Sequence, residues 1–173
     1  EVTAYASKAT GMQIQVERID LRFPLNLLVR GVEVIQQPDT LLSLESLNVR
    51  VQAWPLVKGK VEVDEVTLSQ VAFNSANLIE GMKIKGVLGR FFLQSHGVDL
   101  SNELAVINQT ELSDTHVQML MNDTTTTPKD TTASAPVNWK VDLHKLKLKN
   151  VSFSMQLPAD SMRMAAHIGE AFI

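Results

Sequence analysis

Twice in this chain the same uneven rhythm of apolar residues is written out. Val61, Val63, Val66, Leu68, Val71 and Phe73 step by 2, 3, 2, 3, 2, and Val141, Leu143, Leu146, Leu148, Val151 and Phe153 step the same way. A step of 2 keeps side chains on one face of a pleated strand. A step of three sends the next set to the other face unless a bulge or bend absorbs it. The slip recurs in Ile14, Val16, Ile19, Leu21, Phe23 and in Leu42, Leu44, Leu47, Val49, Val51. A slip repeated this often is a built-in bulge or bend. The expected fold is therefore mainly β, a curved antiparallel, meandering sheet with one apolar and one wet face. Glu62, Asp64, Thr67, Ser69, Lys140, Asp142, Lys147 and Lys149 then point to water. The apolar stripe either floors an open groove or forms a dry core beneath another layer.

The rhythm belongs to a wider repeat. A shift of 80 residues lays Val66–Leu93 on Leu146–Ile173 without a gap, with identities at Leu68/Leu148, Val71/Val151, Phe73/Phe153, Met82/Met162, Gly89/Gly169 and Phe92/Phe172. Such self-similarity is the mark of a quasi-one-dimensional β architecture. Strands are expected near 12–23, 26–36, 41–53, 60–74, 82–94, 103–121 and 138–157. Ala53–Gly59, punctuated by Pro55, predicts one helical turn between strands, and Trp54 is expected to pack over the end of the sheet. Gly86-x-x-Gly89 predicts a turn. Residues 1–11 fit the end of a helix stopped by Gly11. Residues 12–121 form a first β unit, the Thr/Pro-rich stretch 122–136 a loop that cannot bury apolar surface, and 137–173 the start of a second repeat.

Residues that could carry chemistry are sparse. Lys plus Arg is 16 and Asp plus Glu is 19, a net charge of −3 that lacks the basic footprint of a nucleic-acid binder. Cysteine is absent, which excludes disulfides, thiol nucleophiles and Cys-ligated metals. There is no nucleophile elbow, P-loop or dinucleotide fingerprint, and no catalytic residue or cofactor is expected. Of the histidines His96, His116, His144 and His167, two sit in Asp114-x-His116 and Asp142-x-His144, which are read as solvated strand residues rather than metal ligands. Lys145, Lys147 and Lys149 alternate with Leu146 and Leu148 as a solvated strand face. Met119, Met121, Met155, Met162 and Met164 crowd into the later half, where Met suits either core gap-filling or a surface that meets variable apolar ligands. No apolar run approaches the roughly 18 residues that a membrane span needs.

Four stretches carry a family resemblance: I-x-V-x-x-I-x-L-R-F-P (Ile14–Pro24), L-L-V-R-G-V-E-V (Leu27–Val34), D-T-L-L-S-L-E-S-L-N-V-R-V (Asp39–Val51) and P-L-V-K-G-K-V-E-V-D-E-V-T-L (Pro55–Leu68). Together they resemble the N-terminal periplasmic part of TamB/AsmA-like envelope proteins of the long Bacteroides type. The resemblance covers roughly residues 8 to 73, and 138 to 173 through the repeat. It implies an open, taco-shaped β-groove that follows an inner-membrane anchor, here missing ahead of residue 1. It implies carriage of phospholipid toward the outer membrane, or assistance to outer-membrane protein assembly with a barrel partner as a translocation and assembly module. The twelve residues of the two rhythms, Val61 to Phe73 and Val141 to Phe153, are then the lipid-groove candidates. Asp39-Thr40-Leu41, Asp123-Thr124-Thr125, Asp130-Thr131-Thr132 and Asp160-Ser161-Met162 resemble the O-glycosylation motif of such periplasmic proteins, with Thr40, Thr124, Thr131 and Ser161 as acceptors.

Overall fold

The computed structural model describes residues 12–23, 25–57, 62–99, 103–121, 140–157 and 161–173. They form one open, curved sheet: β1 (Gln13–Arg22), β2 (Asn26–Gln36), β3 (Asp39–Val51), β4 (Val63–Asn74), β5 (Met82–Asp99), β6 (Leu104–Met121), β7 (Lys140–Leu143), β8 (Leu146–Leu157) and β9 (Met162–Phe172). A single helical turn, α1 (Ala53–Val57), links β3 to β4, as the Pro punctuation predicts. Val61 and the expected loop over 122–136 lie outside the described residues, as does the helix end over 1–11. No described helix is long and apolar enough to cross a membrane.

Strand order is β1-β2-β3-β4-β5-β6-β8-β9, with β7 also beside β6. Every neighbouring pair is antiparallel except β6/β7 and β6/β8, which are parallel. The sheet is thus mixed rather than antiparallel throughout. The expected strand 138–157 is broken at His144–Lys145, yet β7 and β8 keep one register against β6, since Ile107 pairs with Leu143 and Thr110 with Leu146. A further strand, β9, follows where none was expected outside the repeat.

The slip of three has a physical form that a bulge does not describe. Glu17, Gly31, Glu45, Gln70, Gly89, Asp114, Asn150 and Gly169 fall at one level across the sheet, each an unpaired gap that leaves the register on either side of it unchanged. Each lies between two apolar-face positions that are three apart. Four of the eight take left-handed backbone: Gly31 (φ 58°), Gln70 (49°), Asp114 (51°) and Asn150 (52°), the last two facing each other across the parallel β6/β8 pair. The gap falls at the same level in all eight strands, so no register shifts there. A crease crosses the sheet, and a trough of about 560 Å3 opens along it beside Glu17, Gly31, Glu45 and Gln70. The second slip, near Val63–Val66, is handled differently: register shifts appear between Arg50 and Val51 and around Ser95.

Gly86 and Gly89 sit in the middle of β5 and form no turn. A Cβ on Gly86 would come within 2.4 Å of the Phe73 ring, so the glycine makes room for an aromatic lying across it. Trp54 is 72% exposed, on α1 and not packed over the sheet end.

Candidate apolar groove

The ladders align the apolar residues into rows that run across the sheet. On one side of the crease runs Val16–Val32–Leu44–Val71–Leu88–Thr115–Val151–Ile168, and beyond it Ile14–Val34–Leu42–Phe73–Gly86–Val117–Phe153–Ala166. On the other side runs Ile19–Val29–Leu47–Leu68–Phe91–Leu112–Leu148–Ala171. The next row is Leu21–Leu27–Val49–Val66–Leu93–Thr110–Leu146, with Leu146 and Ile173 exchanging two backbone hydrogen bonds of 2.8 and 2.9 Å. These positions share one face because the alternation holds on each side of the crease and the crease restores it.

Of the groove candidates, Val66, Leu68, Val71 and Phe73 on β4 and Leu146, Leu148, Val151 and Phe153 on β8 stand in those four rows. Val63 is half-buried beside the register shift, and its carbonyl accepts a hydrogen bond from the Ser95 hydroxyl. Val141 and Leu143 lie on β7, paired with Ala105 and Ile107, and are 59% and 45% exposed. The strands between, expected near 82–94 and 103–121, were not read as part of the groove: Leu88, Phe91, Leu93, Leu112 and Val117 fill the same rows. Their signal was the same step of three, at Leu88/Phe91 and Leu112/Thr115.

The face is sheltered but uncovered. Along β5 the apolar-face residues Met82, Ile84, Leu88, Phe91 and Leu93 are half-buried, while Lys83, Lys85, Val87, Arg90 and Gln94 are exposed. No described side chain is sealed: the buried hydrophobic ones are only Leu41, Leu44 and Ala105, at 8%, 7% and 6% exposure. A packed domain buries its apolar face against a second layer; among the described residues there is none. Of the chain's seven Met, six gather at one corner. Met119, Met155 and Met164 are successive neighbours in one row beside Ile84, and Met82 pairs with Met121 and Met162 with Leu157 in the outermost.

The opposite face is polar. Arg50 pairs with Glu65 at 2.5 Å, Gln52 Nε2 donates to Asp64 at 2.5 Å, and the Lys147 ammonium lies 5.4 Å from the Phe172 ring centre. Thr67 and Ser69 on β4 and Lys147 and Lys149 on β8 belong to this face. The two Asp-x-His pairs do not converge. Asp114 accepts a 2.7 Å hydrogen bond from Asn150 along the crease, His116 Nδ1 lies 2.5 Å from Ser152 Oγ, and His144 lies 3.3 Å from Asp142. No group of three metal-ligating side chains forms among the described residues. Thr40, at the start of β3, and Ser161, in the turn before β9, are both exposed; Thr124 and Thr131 lie outside the described residues. Comparison with protein-family models, curated proteins and solved structures finds no match to this chain.

Proposed function

We propose that this chain is a lipid-conduit module, a non-enzymatic binding surface on which acyl chains of phospholipid shelter against the apolar rows. The observation that carries the reading is the single-layer sheet whose apolar face meets no second layer among the described residues. Each methylene removed from water on such a face contributes about 0.8 kcal/mol, so a half-sheltered acyl chain is held by several kcal/mol without any specific contact. An open groove also lets the lipid slide, since no row differs much from its neighbour. The resemblance to TamB/AsmA-like proteins supports a periplasmic place for the module, an inner-membrane anchor in the parent protein and an outer-membrane barrel as partner.

A second reading, a scaffold for outer-membrane protein assembly, is favoured by the outer edge of β9, which has no partner strand among the described residues, since exposed edges accept extended client segments. Native mass spectrometry of protein purified gently from bacterial envelopes separates the two. Co-purified phospholipid is the expected result. A bound client peptide with no lipid would transfer the conclusion to the scaffold.

A further inference from the structure

The β8–β9 hairpin reproduces the β4–β5 hairpin in register as well as in sequence. Val71 pairs with Leu88 and Asn74 with Lys85; eighty residues on, Val151 pairs with Ile168 and Ser154 with Ala165. β9 is therefore a second copy of β5. The outer edge of β5 is taken by β6, antiparallel, with Gly89 facing Asp114 across the crease. The outer edge of β9 has no partner strand among the described residues.

Gly169 marks what that edge is shaped for. At its counterpart Gly89, a Cβ would come within 2.7 Å of the Asp114 Cβ, so Gly89 is bare because the β6 crease residue occupies the space. At Gly31 a Cβ would likewise come within 2.7 Å of the Glu17 Cβ. At Gly169 a Cβ meets nothing within 4 Å, and its backbone does not require glycine by φ. The same socket is present, and no described residue fills it.

We propose that the free edge of β9 is a docking site for an antiparallel extended peptide strand of the β6 type. The crease fixes the pattern of the incoming strand. β9 carries its apolar-face residues one before and two after Gly169, at Ile168 and Ala171. An antiparallel partner aligned on Gly169 must carry its own one after and two before its crease residue. β6 does so, with Thr115 and Leu112 about Asp114. The edge strand β1 of a second copy does not: its Val16 and Ile19 lie one before and two after Glu17, so antiparallel docking would turn its apolar set to the polar face. The crease residue of the incoming strand must fit the socket and accept left-handed backbone, which Asp and Asn do most readily among side-chain-bearing residues. Backbone hydrogen bonds give such a site its affinity, and the socket with the apolar rows gives its selectivity.

The chain has no cysteine, so the register can be read by disulfide trapping. Val87 faces His116 in the β5/β6 ladder, which places His116 of a docked β6-type strand opposite His167. The test is a fluorescent synthetic peptide of residues 104–121 carrying His116→Cys, offered to the full chain carrying His167→Cys on β9 or Gln15→Cys on β1. Trapping at position 167 but not 15 is expected. In anisotropy titrations with the cysteine-free peptide, Gly169→Val should weaken binding about tenfold or more with an unchanged melting temperature, because the added side chain fills the socket and touches nothing in the free protein. No binding, equal trapping at position 15, or equal affinity for the Gly169→Val chain would each overturn the proposal.

Discussion

Asn150 holds two tasks at once on the crease. Its backbone sits at φ 52°, and its Nδ2 donates to Asp114 Oδ1 at 2.7 Å, joining β8 to β6 where the backbone ladder has a gap. Left-handed backbone costs an ordinary residue about 1–2 kcal/mol, more with a branched Cβ, and Asn and Gly least. Two substitutions separate the tasks. Asn150→Gly keeps the backbone and loses the hydrogen bond, a cost of about 1 kcal/mol. Asn150→Val loses both and should be less stable than Asn150→Gly by a further ~1–2 kcal/mol. Urea unfolding of the two variants measures the gap. Equal stability would mean that the side-chain bond, and not the bend, is what the crease needs at this position.

The Met corner is a property of elements, since it exists only because the ends of β5, β6, β8 and β9 meet. Met162 and Met164, on the edge strand, are 48% and 49% exposed, while Met119 and Met155 are half-buried beneath their neighbours. Thioether oxidation follows access. Limited peroxide treatment should therefore convert Met162 and Met164 to sulfoxide well before Met119 and Met155, as peptide mass spectrometry would show. Uniform oxidation would mean that β9 does not shield the row behind it. A sulfoxide is polar, so the treated protein should also lose apolar ligand at this corner.

The rhythm of the elements was largely legible in sequence, because apolar side chains on a sheet with one sheltered face must alternate. The parallel join of β6 to β8 was not read, yet its cause is written in the chain. Both strands carry an apolar-face residue just after the crease, Thr115 and Val151, and two before it, Leu112 and Leu148. Two strands of the same phase can align both crease and face only in parallel; antiparallel neighbours such as β4 and β5 have opposite phases. β9 was missed as a strand because, of its apolar-face residues Met164, Ala166, Ile168 and Ala171, only Ile168 is a strong strand former. The glycines of β5 misled for a different reason. They look like a turn, but Gly86 makes room for Phe73 and Gly89 for Asp114, and that need arises from neighbouring strands.

At the scale of the whole molecule the decisive matter is whether the apolar face is wet or filled when the protein does its work. Leu68 and Leu148 stand in the same row, on β4 and β8, with β5 and β6 between them, a distance of roughly 14 Å at the usual strand spacing. Both are half-buried. In a two-layer protein an unpaired carboxylate at either position would cost several kcal/mol and abolish cooperative unfolding. On a single-layer sheet water reaches the carboxylate, and the cost falls to about 1 kcal/mol, near the centre of the range for point substitutions in general. Leu68→Asp and Leu148→Asp should therefore each keep a cooperative melting transition within a few degrees of the parent. The same charge breaks a row that acyl chains must cross, so both variants should lose binding of a fluorescent phospholipid or a detergent probe. The double variant should be no worse in stability than the sum of the two, because sites this far apart with no shared partner add. Loss of cooperative melting in both single variants would mean that the face is covered in solution, and the open groove would fail as an account of this sheet. Retained melting with retained lipid binding would leave the groove standing as architecture but place the lipid elsewhere on the molecule.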